Sequence, residues 1–345
     1  MPIHGRGVAS NPLNRFERLE VEPDIDAELD GRPPTLFLRD GSRTVITYNK
    51  SPDVGFDATL NPYRGCEHGC SYCYARPFHE YLGFSAGLDF ETRILVKENA
   101  PELLRRELSS PKFVPQDLVL SGVTDAYQPI ERKLKLTRRC LEVLAEFLNP
   151  VIIITKNHLV TRDADLLAEL AAHEATAVSI SITTLDNDLA RRLEPRASSP
   201  RRRLQAIEML NRAGVPAGVS VSPIIPGLND HEIPRILEAA SDVGAAFATF
   251  VLLRLPHGVA DLFSDWLEDH EPGKKSKILN RVKEMRGGKL YDSAFGQRMR
   301  GHGRFAEQIQ QLFELSCRRY GLSRRPRKLS TRSFRRPGEQ LKLFE

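Results

Sequence analysis

The sequence predicts an α/β protein built on a partial (β/α)6 barrel of the TIM type, with an N-terminal extension and a C-terminal helical segment. Two observations lead there. From Phe56 onward, apolar β-rich runs alternate with amphipathic helical stretches, the pattern of a parallel sheet with crossover helices. The strand runs are also apolar almost throughout, as strands buried on both faces are. A doubly wound sheet is the alternative, but no G-x-G-x-x-G follows a strand and no G-x-x-x-x-G-K-[ST] occurs.

Four segments follow from this reading: an extension over 1–50, the barrel over 51–256, helices over 257–320, and a basic tail over 321–345 expected to be flexible. In the extension, 35–39 and 45–48 read as short strands. The first barrel strand ends near Leu60. The second covers 117–124, with a helix over 134–148; the third covers 151–155, with a helix over 163–173. The fourth covers 177–183, and its helix runs from Pro200 to Ala213 and closes on Gly214. The fifth covers 217–225, with a helix over 232–241, and the sixth covers 246–253. Helices over 261–268, 276–285 and 304–320 are expected to cover the open side or the bottom of the barrel, with a glycine-broken mobile loop between the last two.

The chain has 345 residues, 41% hydrophobic and 28% charged, in the range of globular proteins. No apolar run is long enough to span a membrane, and 1–16 lacks the apolar core of a signal peptide, so a cytoplasmic protein is expected. Five cysteines, three of them grouped, do not form a disulfide framework. The net charge of +5 comes from the tail. Nine Arg or Lys and no acid lie between Leu315 and Gly338, while the rest of the chain carries 41 basic and 45 acidic residues. Such a cluster can neutralise phosphates, or it can simply solvate the chain end. Phe334 is the only aromatic among the later arginines, so the tail offers no stacking platform.

The chemistry concentrates in 61–76, NPYRGCEHGCSYCYAR. Cys66, Cys70 and Cys73 form a Cys-x3-Cys-x2-Cys pattern, and Gly65 and Gly69 let the backbone turn tightly around an ion or cluster. Three thiolates leave a four-iron cluster one protein ligand short, so one iron stays open to a chelating small molecule. A structural zinc site completed by His68 or His79 is the competing reading. Cys140 and Cys317 fall on helices as packing residues.

The cysteine spacing, with Tyr72 just before the last cysteine, resembles the radical S-adenosylmethionine superfamily. Together with 121–129 (SGVTDAYQP), 155–157, Ser179, Ser181, 194–196 and 223–227, the loop resembles that superfamily's spore photoproduct lyase-like branch, over about 56–256. The resemblance implies a 4Fe-4S cluster on Cys66, Cys70 and Cys73. S-adenosylmethionine would chelate the open iron and be cleaved reductively to a 5′-deoxyadenosyl radical, with electrons from a flavodoxin- or ferredoxin-type donor. It further implies that Thr124 and Asp125 meet the cofactor's amino group and Lys156 its carboxylate. Ser181 would be a further contact, and Tyr72 would lie against the adenine. Glu194 and Arg196 could meet cofactor or substrate, or form a local surface ion pair. Asp125 and Tyr74 are the catalytic candidates.

The lyase returns hydrogen from a cysteine just after its second strand, where this chain has Gly122 and Val123. The expectation is therefore a radical enzyme with another substrate or another hydrogen donor. A nucleic acid, with the basic tail as its contact, stands beside a peptide or small molecule as the target. A non-catalytic zinc protein associated with nucleic acid is the rival of a different class.

Overall fold

The computed structural model describes residues 3, 5–16 and 34–337. Its strands are β1 (Leu36–Arg39), β2 (Ile46–Tyr48), β3 (Ala58–Leu60), β4 (Tyr63–Arg64), β5 (Arg93–Val96), β6 (Leu118–Leu120), β7 (Val151–Thr155), β8 (Thr176–Ser181), β9 (Ala217–Ile224) and β10 (Ala248–Leu252). The main sheet has the order β10-β9-β8-β7-β6-β3-β2. Its six strands from β3 to β10 run parallel, with β2 antiparallel on the edge beside β3. The strands follow one another in chain order and do not close into a full barrel. A second sheet, β1-β5-β4, packs beside the cysteine loop.

Local sequence explains most elements. β7 reads VIIIT, and all six residues of β8 are buried, as a strand covered on both faces requires. The helix Leu136–Phe147 buries Leu136, Cys140, Leu144 and Phe147 at spacings of three and four. The helix Pro200–Arg212 begins at proline, is capped by Ser199 and is followed by Gly214 at φ +80°.

Some expectations change. The second barrel strand stops at Leu120 rather than 124, because Ser121 takes φ +93° and Asn61 accepts the N–H groups of Gly122 and Val123. That turn carries 121–125 out of the sheet and toward the cysteines. The helices Val259–His270 and Pro272–Glu284 do not cover the bottom. Their apolar faces share a cluster with Cys70, Tyr72, Leu193 and Ile225, at the carboxyl ends of the strands.

The open side of the sheet is bridged by the segment expected to be a mobile loop. Leu252 on β10 donates to the Met299 carbonyl, while Gly296 and Arg298 bind Asp53 between β2 and β3.

The tail is likewise held through Pro337. Ala248 donates to Ser323 O, Ser330 to Glu174 O and Arg335 to Phe147 O, and the Phe334 ring lies against Phe113 and Phe147. Each partner precedes or begins a strand, so the tail lies along the amino-terminal ends of the sheet. Burial of Phe334 between two rings supplies the anchor that arginine content conceals.

Candidate radical site at the carboxyl ends of the strands

The cysteine loop leaves β3 and β4 and is shaped by close backbone approaches. Gly65 and Gly69 both have positive φ, and a Cβ on Gly69 would meet the Glu91 carboxylate at 2.7 Å. The N-terminal segment lies directly on the loop. A Cβ on Gly7 would fall 1.5 Å from Gly69 O, and Gly7 N donates to Glu91 Oε2 at 3.1 Å. Beneath it, fully buried Arg76 donates to the Cys70 carbonyl through two nitrogens and pairs with Glu91. A charge pair inside the protein holds its geometry because losing either partner strands the other.

The three cysteines are free. Burial pushes the Cys66 thiol up, with Asp125, Cys70 and Cys73 adding to the effect; burial likewise raises Cys70 and Cys73. The sulfurs thus act on one another in a site that disfavours thiolate unless positive charge accompanies it. Among the described residues no three His, Cys, Asp or Glu side chains converge as ligands of one metal ion.

Neither histidine of the zinc reading is free to ligate. His68 is buried, with Nδ1 3.3 Å from Asp125 Oδ2 and Nε2 3.1 Å from Asn157 Nδ2. The amide donates to Nε2, which leaves Nδ1–H for the carboxylate. His79 Nε2 lies 3.0 Å from Arg93 O, and burial lowers its pKa to about 4.

The strand-end residues do gather around the loop, and several of them hold it by hydrogen bonds. Asp125 accepts from Thr155 Oγ1 (2.7 Å), Tyr127 N (2.9 Å) and Lys156 N (2.8 Å). Burial alone would raise its pKa; His68 and these donors bring it below the usual value. Thr124 Oγ1 donates to Gly65 O at 2.6 Å. Both side chains therefore brace the loop to β6 and β7 rather than offer idle acceptors.

Tyr72 has its ring packed inside the protein. It is buried in the apolar cluster with Leu189 and Leu193, and its hydroxyl donates to Glu194. Lys156 Nζ lies 5.9 Å from that ring's centre, 3.3 Å from Ser222 O and 3.9 Å from Glu194 Oε1. Ser181 is buried at the end of β8, where its carbonyl accepts from Arg203.

Glu194 and Arg196 do not pair with each other at the surface. Glu194 is sealed inside against Arg203, Thr183 (2.5 Å) and Tyr72. Burial opposes its charge, but Arg203, then Lys156 and the hydroxyls, lower its pKa to about 2. Arg196 turns the other way, to Glu67 at 2.9 Å, and its backbone N–H donates to His68 O. Tyr74 is 43% exposed, and its hydroxyl donates to Gly122 O at 2.8 Å. Its oxygen thus stands at the point where the lyase-like pattern would have a thiol.

The profile of the Radical SAM superfamily matches residues 60–240, which contain the three cysteines and the strand-end residues around them. The chain belongs to the Radical SAM superfamily. As a radical SAM enzyme it is similar to an uncharacterized protein of Mycobacterium tuberculosis (strain ATCC 25618 / H37Rv), 35% identical over 242 residues, which are 69% of this chain and 70% of that one. It is also similar to a radical SAM Nα-GlyT isomerase of Pseudomonas phage M6, 28% identical over 186 residues, 53% of this chain and 36% of that one. Among solved structures, spore photoproduct lyase complexed with dinucleoside spore photoproduct superposes with a TM-score of 0.61, at 16% identity over 82% of this chain and 79% of that one. This places the partial barrel among radical SAM folds.

Arg76, Glu91 and Arg203 were not singled out from sequence. The signal that could have found Arg203 is Ser199-Pro200, which opens a helix directly beneath the strand ends.

Proposed function

We propose that Cys66, Cys70 and Cys73 hold a 4Fe-4S cluster whose open iron takes S-adenosylmethionine, and that the enzyme abstracts hydrogen from a nucleic acid. The observation that carries the first part is the set of three mutually interacting thiols at the carboxyl ends of the strands, Cys66 and Cys70 buried and Cys73 half-buried, with both nearby histidines engaged elsewhere. When bound, the cluster and cofactor supply one-electron cleavage to a 5′-deoxyadenosyl radical. The reductant is of flavodoxin or ferredoxin type, in the cytoplasm.

The chain's own residues do the placing. Lys156 is the side chain suited to the cofactor's carboxylate, since an ammonium gains a charge-assisted bond there; Ser181 stands beside it at the strand end. Asp125 fixes the Lys156 backbone and His68, so it positions the loop that carries Cys66 and Cys70. Glu194 and Arg203 keep the Tyr72 side in register. Tyr74 O–H, beside Gly122, is the proposed donor that returns hydrogen to the product.

The shared fold with a lyase seen on a dinucleoside supports a nucleic-acid target. The test is anaerobic incubation of the loaded enzyme with reductant, cofactor and irradiated or plain oligonucleotides, following both deoxyadenosine and oligonucleotide mass. Deoxyadenosine that rises with oligonucleotide, together with a changed mass, is expected. A rise with peptides and none with nucleic acid would contradict the target.

A further inference from the structure

The arginine tail lies along the amino-terminal ends of the strands, while the cysteines lie beyond their carboxyl ends. A polyanion reaching the site must therefore be held by other residues. At the end of β10, the Arg254 guanidinium lies 4.8 Å from the centre of the Tyr74 ring, and Tyr74 in turn reaches Gly122 after β6. Arg254 thus lies against the half-exposed ring that follows Cys73 in the chain.

Its own bonding is incomplete. Nη1 meets the Met299 sulfur at 2.7 Å, a weak acceptor, and Nε is sealed from solvent without a partner. Among the described residues it pairs with no carboxylate, whereas Arg15, Arg64, Arg76, Arg138, Arg162 and Arg203 all do. Behind it Arg286 is 2% exposed. It donates to the carbonyls of Leu253 (2.9 Å), Gln297 (3.0 Å) and Arg298 (2.8 Å), and its Nε also lacks a partner. Burial and then Arg254 lower the Arg286 pKa, while Asp292 acts in the other direction from beyond ion-pair distance. A buried guanidinium beside a second, half-exposed one is costly unless an anion joins them.

We propose that Arg254, backed by Arg286, is the position that takes one phosphate of the substrate, with the adjoining nucleotide against Tyr74. This rests on the nucleic-acid reading of the same site. A planar fork of donors matches phosphate oxygens, and a guanidinium on a half-exposed aromatic ring serves phosphate and base together. A carboxylate peptide would use the fork but not the ring.

The test is fluorescence anisotropy of labelled single-stranded DNA and RNA oligonucleotides on the cluster-loaded full chain, across a salt series, for wild type, Arg254→Ala and Arg254→Lys. Thermal unfolding of each protein is recorded to separate binding from folding. Arg254→Ala is expected to weaken binding by roughly tenfold and to flatten the salt dependence by about one unit of slope, while Arg254→Lys, which keeps the charge but not the fork, keeps the wild-type slope at intermediate affinity. Equal affinity and slope in wild type and Arg254→Ala would overturn the proposal. So would a wild type that ignores oligonucleotides and binds an acidic peptide through Arg254. Deoxyadenosine formation by the wild type, measured separately, reports on the radical chemistry and not on this position.

Discussion

Arg203 donates to Glu194 with both side chains shut away from solvent, and through that pair the Tyr72 hydroxyl, the end of β8 and the start of the helix Pro200–Arg212 are joined. Breaking one half leaves a buried charge uncompensated, at a cost of about 3–5 kcal/mol. Glu194→Gln is therefore expected to lower stability by that order in urea unfolding, and Glu194→Gln combined with Arg203→Met to recover part of it. Because the Glu194 pKa is held near 2, its contribution is complete above the ordinary value of 4.5 and is lost as pH falls toward 2. The acid limb of stability should be shallower in the Gln variant over that window.

His79 gives a second, separable pH effect. Burial lowers its pKa from 6.5 to about 4, so between those values the unfolded chain binds a proton that the folded chain refuses. Stability then rises with pH across that window and is lost on acidification, by about 3 kcal/mol in all. His79→Phe, set beside Phe84 and Phe90, should remove this dependence. An unchanged slope between pH 6.5 and 4 would contradict the assignment.

Restoring a thiol after β6 should succeed at one position and fail at the other. A Cβ on Gly122 would lie 2.9 Å from Thr59 Cγ2, and threonine is too short to swing away. Gly122→Cys is expected to cost about 1–3 kcal/mol. Val123 is part-buried and already carries a side chain, so Val123→Cys should fold as wild type does and place a thiol near Tyr74.

The tail acts as a structural strap. Phe334→Ala should lower stability by about 1–2 kcal/mol, less than a fully buried phenylalanine would, since the ring is part-buried. The midpoint of thermal unfolding, compared with oligonucleotide affinity at fixed salt, checks this. A large loss of affinity with unchanged stability would instead make the tail a recognition element.

The parallel strands were legible because runs such as VIIIT admit one environment only, and the three-cysteine loop because its spacing is local. β5 (RILV) and the helix Ala100–Ser109 were not, since β5 is four residues long and pairs with one strand from the extension and a two-residue strand leading into the cysteine loop. The site was legible in its cysteines and less so in its supports. Glu194 and Arg196 stand two apart in sequence yet point to Arg203 and Glu67, partners that only the folded sheet brings near. Likewise the Arg76–Glu91 clamp crosses an intervening helix and turn that no periodicity connects.

The most direct test of the central claim is anaerobic reconstitution with iron and sulfide, followed by dithionite and S-adenosylmethionine, with 5′-deoxyadenosine quantified for wild type and for Cys66→Ala, Cys70→Ala and Cys73→Ala. The account predicts about four irons per chain in the wild type, product from the wild type, and none from any of the three variants. A colourless protein holding one zinc and forming no deoxyadenosine would contradict it.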